Sequence, residues 1–453
     1  MAGPGKEDRA VSRRRFVKGM AAGVAAFSIV PRHVLGGSGQ RPPSEKLNIG
    51  CIAAAGRGNY SIRGVAKTEN IAALCDVDTD RARSARKRFS KAKFYTDYRK
   101  LLDEMGNELD AVTVATPDHS HFHATLSAMQ LGLHVYCEKP LAHTVSQVRR
   151  LTEAARKYDK VVTQMGNQGH SCWSTAKMRD WILAGAIGPV HEVVAWKHGN
   201  YSRHHPPTKD SVPKSLDYDL WLNREPHRPY HRGFHPGSWR GWSYFGTGTV
   251  GDWGCHQLDP AFYALDLTNP ERVTVEPGKW PVRDSYPETQ LLTWHIPKRG
   301  DQPAIRVRYY ILGDTPAGKG VPDLTHVPPK SKPRSRVGAA MVGEKATIIY
   351  GSHGGGGHIV PEEKMKEAGD VPERSPRVRD HQGSWLDACK GRGQALSSFD
   401  YAGPLAEFVL LGEVALRSDD HEIRWDGEAM KVPNDPKATA LVHGTDPRDG
   451  WRI

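Results

Sequence analysis

A lysine stands where a short apolar segment ends and a helix is about to begin. Residues 135–141 read Val-Tyr-Cys-Glu-Lys-Pro-Leu, so a strand-like run ends at Glu138 and Lys139, before a proline that cannot continue it. Thr144 and Gln147 then form a capping-box pattern for the start of a helix. Taken alone, the Glu-Lys pair would be a solvated ion pair before a turn. In an open α/β sheet, however, ligands bind at the carboxyl ends of the strands, and this lysine would lie there.

Later in the chain, an aspartate and a histidine follow each other at helical spacing. Residues 251–256 read Gly-Asp-Trp-Gly-Cys-His, which places Asp252 and His256 four positions apart. On a helix two such side chains share one face. A capping aspartate beside a structural histidine is the interpretation that this pair alone would favour. A chemical role for the pair depends on its meeting Lys139.

The elements that would position these residues begin with a strand, a turn and a helix. Residues 47–53 form a buried apolar run, residues 54–58 form a turn, and residues 71–75 form a second apolar run that ends at Asp76. Asp76 lies 20 residues beyond Gly56, where a dinucleotide-binding unit places a carboxylate on the adenosine ribose. Strands that alternate with helical patterns predict a doubly wound parallel sheet.

The glycine loop of this unit departs from the usual dinucleotide pattern. A G-x-G-x-x-G alignment finds Ala53 and Ala55 in the first two glycine positions and Gly58 in the third. The first two glycines serve the tight turn and the close approach of the pyrophosphate, so a Cβ there would reshape the loop or displace the phosphates. Gly56 offers compensation, and the amides of a helix N-terminus still favour an anion. Because Asp76 would repel a 2′-phosphate, NAD is favoured over NADP.

Three histidines after the next strand allow two interpretations. The strand-like run 110–115 leads to Pro117, and His119, His121 and His123 follow at alternate positions. In an extended segment these imidazoles could ligate a metal. Pro117 instead predicts that the strand ends and a helix begins at the next residue, which disperses the three side chains. We therefore expect no metal site.

Length and charge limit the class of protein. A chain of 453 residues predicts two folded units. The formal net charge is +12, and residues 1–46 supply +6 of it through nine Lys/Arg against three Asp/Glu. The remaining charge is scattered and forms no basic run interleaved with aromatic residues. This distribution argues against nucleic acid as a partner.

The basic N-terminal segment has its own explanation. Residues 12–18 read Ser-Arg-Arg-Arg-Phe-Val-Lys and precede a modestly apolar stretch at 19–30, which together resemble a twin-arginine (Tat) export signal. A basic, disordered tail is the alternative. We expect a signal and linker over residues 1–45, contact with the Tat export machinery, and a periplasmic or extracytoplasmic protein with no stable membrane insertion after signal removal. Six scattered cysteines indicate buried small side chains better than a disulfide framework.

Taken together, these motifs resemble those of the glucose–fructose oxidoreductase and inositol dehydrogenase superfamily (Gfo/Idh/MocA). The resemblance implies an α/β, Rossmann-type, doubly wound NAD-binding domain over residues 46–166. It also implies an α+β C-terminal domain over residues 167–453 with a large open, mainly antiparallel sheet that often makes oligomer contacts. A late helix at about 402–417 is expected to pack back on the first domain. The resemblance rests on the unit at 47–66, Asp76, Thr116-Pro117-Asp118 with His121, Glu138-Lys139-Pro140, residues 164–168 and residues 251–256.

The resemblance also implies roles for individual residues. Lys139, Asp252 and His256 would be catalytic: His256 would exchange a proton with the reacting hydroxyl, Asp252 would hold or charge-balance that imidazole, and Lys139 would polarise the same oxygen. An alcohol needs such a base because its own acidity is far too weak at neutral pH. Substrate contacts are expected from His170, Trp239 and Arg240, with the Pro- and His-rich loop 206–236 in the substrate wall. Cofactor contacts are expected from Gly56, Arg57, Gly58, Asp76, Thr116, Pro117, Asp118, His121, Glu138, Lys139 and Asn167.

Three functions are compatible with these features. The first is an exported oxidoreductase that acts on a sugar, polyol or glycoside hydroxyl with a tightly bound NAD, since an exported enzyme has little free NAD to exchange. The second is a redox-neutral glycosidase or lyase that works through a transient keto-sugar. The third is a non-catalytic carbohydrate-binding protein on a degenerate Rossmann fold, which Ala53 and Ala55 favour and the set of Lys139, Asp252 and His256 opposes. A homo-oligomer is expected in each case.

Overall fold

The computed structural model describes residues 45–328 and 333–452. The predicted export signal, which falls on residues 1–44, lies outside the described residues. Within the described ranges the strands form two sheets, one of six strands and one of eight. In the same ranges no helix is long and apolar enough to cross a membrane.

The first sheet is parallel throughout and has the strand order β3-β2-β1-β4-β5-β6. Its central strands are apolar and buried along their length, as expected when helices cover both faces. The strands are β1 (Asn48–Ile52), β2 (Asn70–Cys75), β3 (Lys93–Tyr95), β4 (Ala111–Val114), β5 (His134–Cys137) and β6 (Thr163–Met165). The helices are α1 (Arg57–Val65), α2 (Arg83–Arg88), α3 (Tyr98–Met105), α4 (Asp118–Gln130) and α5 (Val145–Lys157).

Two local predictions in this domain are confirmed. Helix α4 begins at Asp118, directly after Pro117, so the histidines that follow lie on a helix, where His121 points away from the face shared by His119 and His123. Helix α5 begins at its predicted cap, where Thr144 Oγ1 accepts a hydrogen bond from the Gln147 backbone N–H. The Gln147 side chain returns to the backbone N–H of His143, one residue before the cap.

The second sheet has the order β13-β12-β11-β7-β10-β9-β8-β14 and is antiparallel except where β10 pairs with β7. With the first sheet it confirms the predicted fold class. Its strands are β7 (Val190–Lys197), β8 (Arg272–Pro277), β9 (Gln290–Ile296), β10 (Ile305–Ile311), β11 (Val337–Gly343), β12 (Thr347–Gly351), β13 (His358–Val360) and β14 (Glu422–Arg424). The remaining helices are α6 (Trp173–Leu183), α7 (Tyr218–Leu222), α8 (Gly248–Gln257), α9 (Asp259–Ala264), α10 (Glu362–Ala368), α11 (His381–Cys389), α12 (Phe399–Arg417) and α13 (Pro436–His443).

Two helices from late in the chain pack against helices that cover the parallel sheet. Helix α12 lies on α5, where Arg149 makes a bidentate ion pair with the buried Glu407 at 2.7–2.9 Å. Helix α11 lies on α1 and brings Trp385 against Tyr136 of β5. The segment 206–236, predicted to be a loop, contains the short helix α7, because Asp217 caps its first turn and its aromatic side chains are buried.

Candidate active site

A cavity of about 500 Å³ lies at the carboxyl edge of the parallel sheet. The strand order reverses between β1 and β4, and open α/β sheets bind ligands at such a point. The cavity volume falls within the roughly 300–1,000 Å³ that ligand pockets usually have. Twelve of the residues predicted for the site line it: Gly56, Arg57, Asp76, Thr116, Pro117, His121, Glu138, Lys139, Trp239, Arg240, Asp252 and His256.

The turn between β1 and α1 forms the first wall. Ala53, in the first glycine position, has a φ of 77°, a left-handed conformation that glycine adopts without steric cost and alanine does not. At Gly58 an added Cβ would lie 2.0 Å from the Ala53 carbonyl oxygen, so the third glycine is required for α1 to pack on the turn. Helix α1 has no side-chain cap, which leaves its N-terminus suited to an anion. The turn therefore keeps at Ala53 the backbone conformation that a glycine would adopt there.

Asp76 is fixed at the end of β2 by the backbone. Its Oδ2 accepts a hydrogen bond from the Ala54 N–H at 2.9 Å, and its Oδ1 accepts one from the Asp78 N–H at 3.0 Å. Burial raises the pKa of Asp76, although these two N–H groups oppose that rise. The carboxyl group therefore ties the turn to β2 and lines the cavity at the position expected for a ribose contact.

Glu138 connects the end of β5 to helix α1. Its Oε1 accepts hydrogen bonds from the Ser61 hydroxyl at 3.1 Å and from the Arg57 guanidinium at 2.9 Å. Its Oε2 is buried and has no hydrogen-bond partner among the described residues. An added Cβ at Gly166 would lie 2.6 Å from that oxygen, so the glycine leaves room for the carboxylate. A buried oxygen without a donor fits a cavity that receives a polar ligand.

His121 holds the ends of β4 and β5 together. Its two ring nitrogens lie 2.7 Å from the carbonyl oxygens of Thr116 and Pro140. Because both neighbours are acceptors, both nitrogens must donate, which requires the charged imidazolium. Burial alone would lower the pKa of His121, but Cys137, Asp118 and the Pro140 carbonyl raise it to about 9. The histidine therefore acts as a fixed cation that supports the segment carrying Lys139.

Three donors converge on Asp252, which lies on α8. Lys139 Nζ and Arg240 Nε both donate to its Oδ1, the second at 2.7 Å, and the Tyr201 hydroxyl donates to its Oδ2 at 2.6 Å. The side chains of Lys139 and Asp252 are only 9% and 10% exposed. Burial alone would raise the pKa of Asp252, but Lys139 and Arg240 hold it well below its usual range. One ionised carboxylate thus faces two cations, which leaves the cluster with an excess positive charge.

His256 lies one helical turn beyond Asp252 but is not bonded to it. Asp252 was expected to hold or charge-balance this imidazole; it does not hold it, because its two oxygens accept from Lys139, Arg240 and Tyr201, and it acts on His256 only through its charge. Among the described residues, Nδ1 of His256 is buried without a partner, and its ring lies against that of His353, with centroids 4.0 Å apart. Burial, Lys139 and His353 lower the pKa of His256 well below its usual range. His256 is therefore uncharged near pH 7, and among the described residues its Nδ1 has no hydrogen-bond partner.

Four predicted residues lie outside the cavity lining, and their side chains serve other contacts. Gly58 is buried beneath the turn. Asp118 Oδ2 accepts from the backbone N–H and the hydroxyl of Thr247, so it anchors the start of α8. Asn167 Oδ1 accepts from Ser397, and His170 is buried against Asp259, with 3.0 Å between Nδ1 and Oδ1.

Other residues of the site were missed by sequence reasoning. Tyr201 follows β7, and His353 lies between β12 and β13 beside the glycine run. Asn223 and Trp451 also line the cavity. None of them belongs to a short motif, and the distances along the chain give no signal that they meet Lys139 or Asp76.

Chemically, the cavity pairs a proton acceptor with a fixed positive charge. His256 can accept a proton, and the ammonium of Lys139 can stabilise an oxygen that gains negative charge. At the other end, the uncapped helix α1 and the Asp76 carboxyl match the phosphates and ribose of a dinucleotide. Among the described residues no group of three or more His, Cys, Asp or Glu side chains is placed to hold a metal ion.

Comparison with known proteins agrees with this geometry. Residues 49–165 match the model of the oxidoreductase family's NAD-binding Rossmann fold (GFO_IDH_MocA), and residues 175–283 match that of its C-terminal α/β domain. The chain is 29% identical over 125 residues to D-glucoside 3-dehydrogenase of Escherichia coli, which covers 28% of this chain and 35% of that protein. It is 27% identical over 146 residues to inositol 2-dehydrogenase of Salmonella typhimurium, covering 31% of this chain and 43% of that protein. The alignments thus span well under half the length of these relatives.

A solved structure extends the likeness of fold to both domains. The complex of a levoglucosan dehydrogenase with NADH superimposes with a TM-score of 0.54 and covers 81% of this chain and 96% of that one, at 16% identity. At that identity the likeness concerns the fold alone. Residues 49–165 are an NAD-binding Rossmann domain of the Gfo/Idh/MocA oxidoreductase family, and residues 175–283 match the C-terminal domain of the same family.

Proposed function

We propose that the protein is an exported, NAD-dependent oxidoreductase that oxidises a hydroxyl group of a sugar, polyol or glycoside and keeps its cofactor tightly bound. The observation that carries the proposal is the meeting of the Lys139 ammonium and the neutral His256 imidazole in one buried cavity. Two relatives to which part of the chain is similar are dehydrogenases of a glucoside and of inositol, which supports a hydroxyl as the reacting group.

The residues fit the cofactor that this domain binds. Gly56, Arg57 and the N-terminus of α1 would hold the pyrophosphate, and Asp76 would accept a hydrogen bond from the adenosine ribose. The unpartnered Glu138 Oε2 marks a polar position in the same cavity wall. Bound NAD would supply the acceptor for a hydride from the substrate carbon.

The chain's own residues then account for the proton. As the carbinol C–H bond breaks and its hydride leaves, the O–H bond breaks and its proton passes to His256, so the alcohol becomes a carbonyl. Lys139 donates a hydrogen bond to the substrate oxygen and stabilises the negative charge that develops there. Asp252 holds the ammonium and is itself held by the Tyr201 hydroxyl, so Lys139 stays in place while the proton moves.

The choice of NAD over NADP depends on Asp76. A carboxylate at this point repels a 2′-phosphate, whereas Arg81, which lines the same part of the cavity, would attract one. Asp76 is held by two backbone N–H groups and cannot turn away. We therefore expect the protein to bind NAD more tightly than NADP. Asp76→Ala should reduce this difference in affinity between the two nucleotides.

Two further parts of the proposal concern the whole protein. Export by the Tat route is supported by residues 12–18 of the sequence, and a fusion of residues 1–45 to a reporter protein would test it. Assembly as a homo-oligomer is supported by the second face of the eight-stranded sheet, where β9 and β10 carry a row of partly exposed side chains. Light scattering of the purified protein would test this assembly.

The experiment that tests the function begins with the nucleotide released on heat denaturation. About one NAD per chain is expected, and the intact, loaded protein should form reduced nicotinamide when the correct sugar or polyol is added. Cleavage of a glycoside without net reduction would instead favour the redox-neutral function, which uses the same hydride step in both directions. A folded protein that carries no NAD and binds none when it is added would contradict both.

A further inference from the structure

One wall of the cofactor cavity comes from outside the Rossmann domain. Besides Asp76, Thr96 and Tyr98, the lining includes two short stretches and one distant tryptophan: Leu220, Trp221 and Asn223, then residues 235–237, and Trp451. The first two stretches belong to the segment that was predicted to form the substrate wall. We call residues 215–237 together with residues 448–451 the cap.

The cap is attached to the chain directly after Asp76. The Asp217 N–H donates to the Val77 carbonyl at 2.9 Å, and the Thr79 N–H donates to the Ser215 carbonyl at 2.9 Å. His235 Nε2 lies 2.9 Å from Asp78 Oδ2, and both side chains are nearly buried. The end of β2 that carries the ribose-binding carboxylate is therefore also the attachment point of the cap.

The C-terminal part of the cap closes on its other side. Trp451 is buried, lies near the ring of Tyr98 with centroids 6.3 Å apart, and is covered by the Arg99 guanidinium at 4.1 Å. Arg448 donates to the Asn223 carbonyl at 2.5 Å and also contacts Asp219. These contacts join the C-terminal segment, the helix α7 region and α3 around one end of the cavity.

The cap shares an apolar core with residues 239–245, so it can act as a rigid wall. Its aromatic rings pack edge-to-face and stacked, with centroids 4.7–5.7 Å apart between Trp221, Tyr218 and Phe245. Val77 packs against this core from the Rossmann side. The buried members are Leu216, Tyr218, Trp221, Leu222, Tyr230, Phe234, Trp239, Trp242 and Phe245.

We propose that the cap is an adenosine clamp: the adenosine half of NAD binds between Asp76, the β3–α3 segment and the cap, and it leaves only when the cap detaches. The inference rests on the proposed function, because it takes NAD as the ligand of the cavity. It assigns cofactor retention to Trp221, Asn223 and Trp451, which line the same cavity as Asp76 and belong to no dinucleotide motif. A Rossmann domain without such a wall leaves this end of the nucleotide open to solvent.

The direct test compares the rate at which bound NAD leaves the loaded protein in two variants. Trp451→Ala removes one side of the clamp, and Trp173→Ala removes a tryptophan that is 56% exposed and does not line the cavity. NAD should leave Trp451→Ala at least ~10-fold faster than wild type, a difference of about 1.4 kcal/mol, whereas the rate in Trp173→Ala should stay unchanged. A wild-type release rate in a folded Trp451→Ala protein would overturn the proposal.

Hydrogen exchange on the wild-type protein keeps the proposal testable if Trp451→Ala does not fold. Added ADP-ribose should slow amide exchange in residues 215–223 and 448–451 as much as NAD does, and nicotinamide mononucleotide should not. NAD binding without protection of these residues would refute the clamp but leave the proposed function intact. Failure of NAD to bind at all would refute both.

Discussion

The two ends of the cavity are built in different ways. At the catalytic end, Lys139 follows a strand directly, and Asp252 and His256 share one helix, so short segments place the charged groups. At the adenosine end, Asp76 also follows a strand, but the wall opposite comes from residues 215–237 and from Trp451. The first end is a cluster of charges and the second is largely aromatic. The chemistry of this protein is thus set locally, whereas enclosure of its cofactor depends on packing between distant segments.

The largest effect is expected at the catalytic end, from His256→Ala. Loss of the proton acceptor should lower kcat by about 10²–10⁴-fold, while NAD should bind as in wild type because the adenosine end is unchanged. Steady-state rates and nucleotide titration measure the two properties separately. The matched control is His358→Ala, which changes an exposed histidine on β13 and should leave both properties unaltered. A parallel loss of NAD binding in His256→Ala would show that the two ends are not separable.

The next effect concerns the carboxylate that holds Lys139. Asp252→Asn leaves two buried cations without their counter-charge and should cost about 3–5 kcal/mol of unfolding free energy. Because the pKa of Asp252 is lowered in the fold, its contribution is complete above the usual pKa of an aspartate and is lost on acidification, so the difference from wild type should shrink below about pH 4. Urea unfolding at several pH values measures this.

Tyr201→Phe provides the milder comparison for Asp252→Asn. It removes one charge-assisted hydrogen bond and leaves the ion pairs in place, so it should lower the free energy of unfolding by roughly 1.5–3 kcal/mol. An equal loss in the two variants would contradict the view that Asp252 acts mainly through Lys139 and Arg240.

Two substitutions in the turn between β1 and α1, which lies between the two ends, should change NAD binding in opposite directions. Gly58→Ala places a Cβ against the Ala53 carbonyl and should weaken NAD binding at least ~10-fold, or about 1.4 kcal/mol. Ala53→Gly relieves a left-handed alanine and should preserve or strengthen binding, with a change in stability of less than about 1 kcal/mol. Calorimetric NAD titration of both variants decides this. Weaker binding in Ala53→Gly would show that the alanine Cβ contributes to the site.

The last prediction concerns a buried glutamate beneath the catalytic end, whose substitution should stabilise the protein. Tyr286, which packs under the start of α8, lies 2.9 Å from Glu413 and 2.7 Å from the Gly246 carbonyl, and burial raises the pKa of Glu413 from 4.5 to about 7. This raised pKa gives a stability contribution that is complete below pH 4.5 and is lost as pH rises through about 7. Glu413→Gln resembles the protonated form. It should therefore raise the free energy of unfolding by about 1–3 kcal/mol at pH 8 and change it little at pH 5.

Unfolding measured at pH 5 and pH 8 tests the Glu413 prediction. The control is Glu428→Gln, an exposed position that should show no difference at either pH. A gain that is the same at both pH values would contradict a raised pKa as its cause.

The sequence predicted the parts of the fold that depend on local patterns. Apolar runs and their spacing from Asp76 predicted β1, β2 and the doubly wound sheet, and Pro117 predicted the start of α4. Lys139, Asp252 and His256 were placed correctly at one cavity because each follows or lies on an element with a clear pattern.

The remaining parts depend on contacts that no local pattern encodes. The partner of Asp252 could not be inferred, because it depends on how closely α8 approaches the end of β5. Tyr201 and His353 enter the site from the second sheet's loops, and Trp451 arrives from the far end of the chain. Residues 206–236 were predicted to be a loop because they are rich in proline and histidine, and no local pattern shows that their aromatic side chains form a core on folding.

The central claim is that His256 accepts the substrate's proton and Lys139 stabilises the substrate oxygen while NAD accepts a hydride. It is tested most directly by a single turnover: protein loaded with NAD is mixed with a panel of sugars, polyols and glycosides, and the absorbance of reduced nicotinamide is followed in wild type, Lys139→Ala and His256→Ala. We expect a fast rise in the wild type with at least one substrate, and a rise slowed by about 10²-fold or more in both variants despite full loading with NAD. A rise of equal rate in all three proteins would contradict the assignment of these residues.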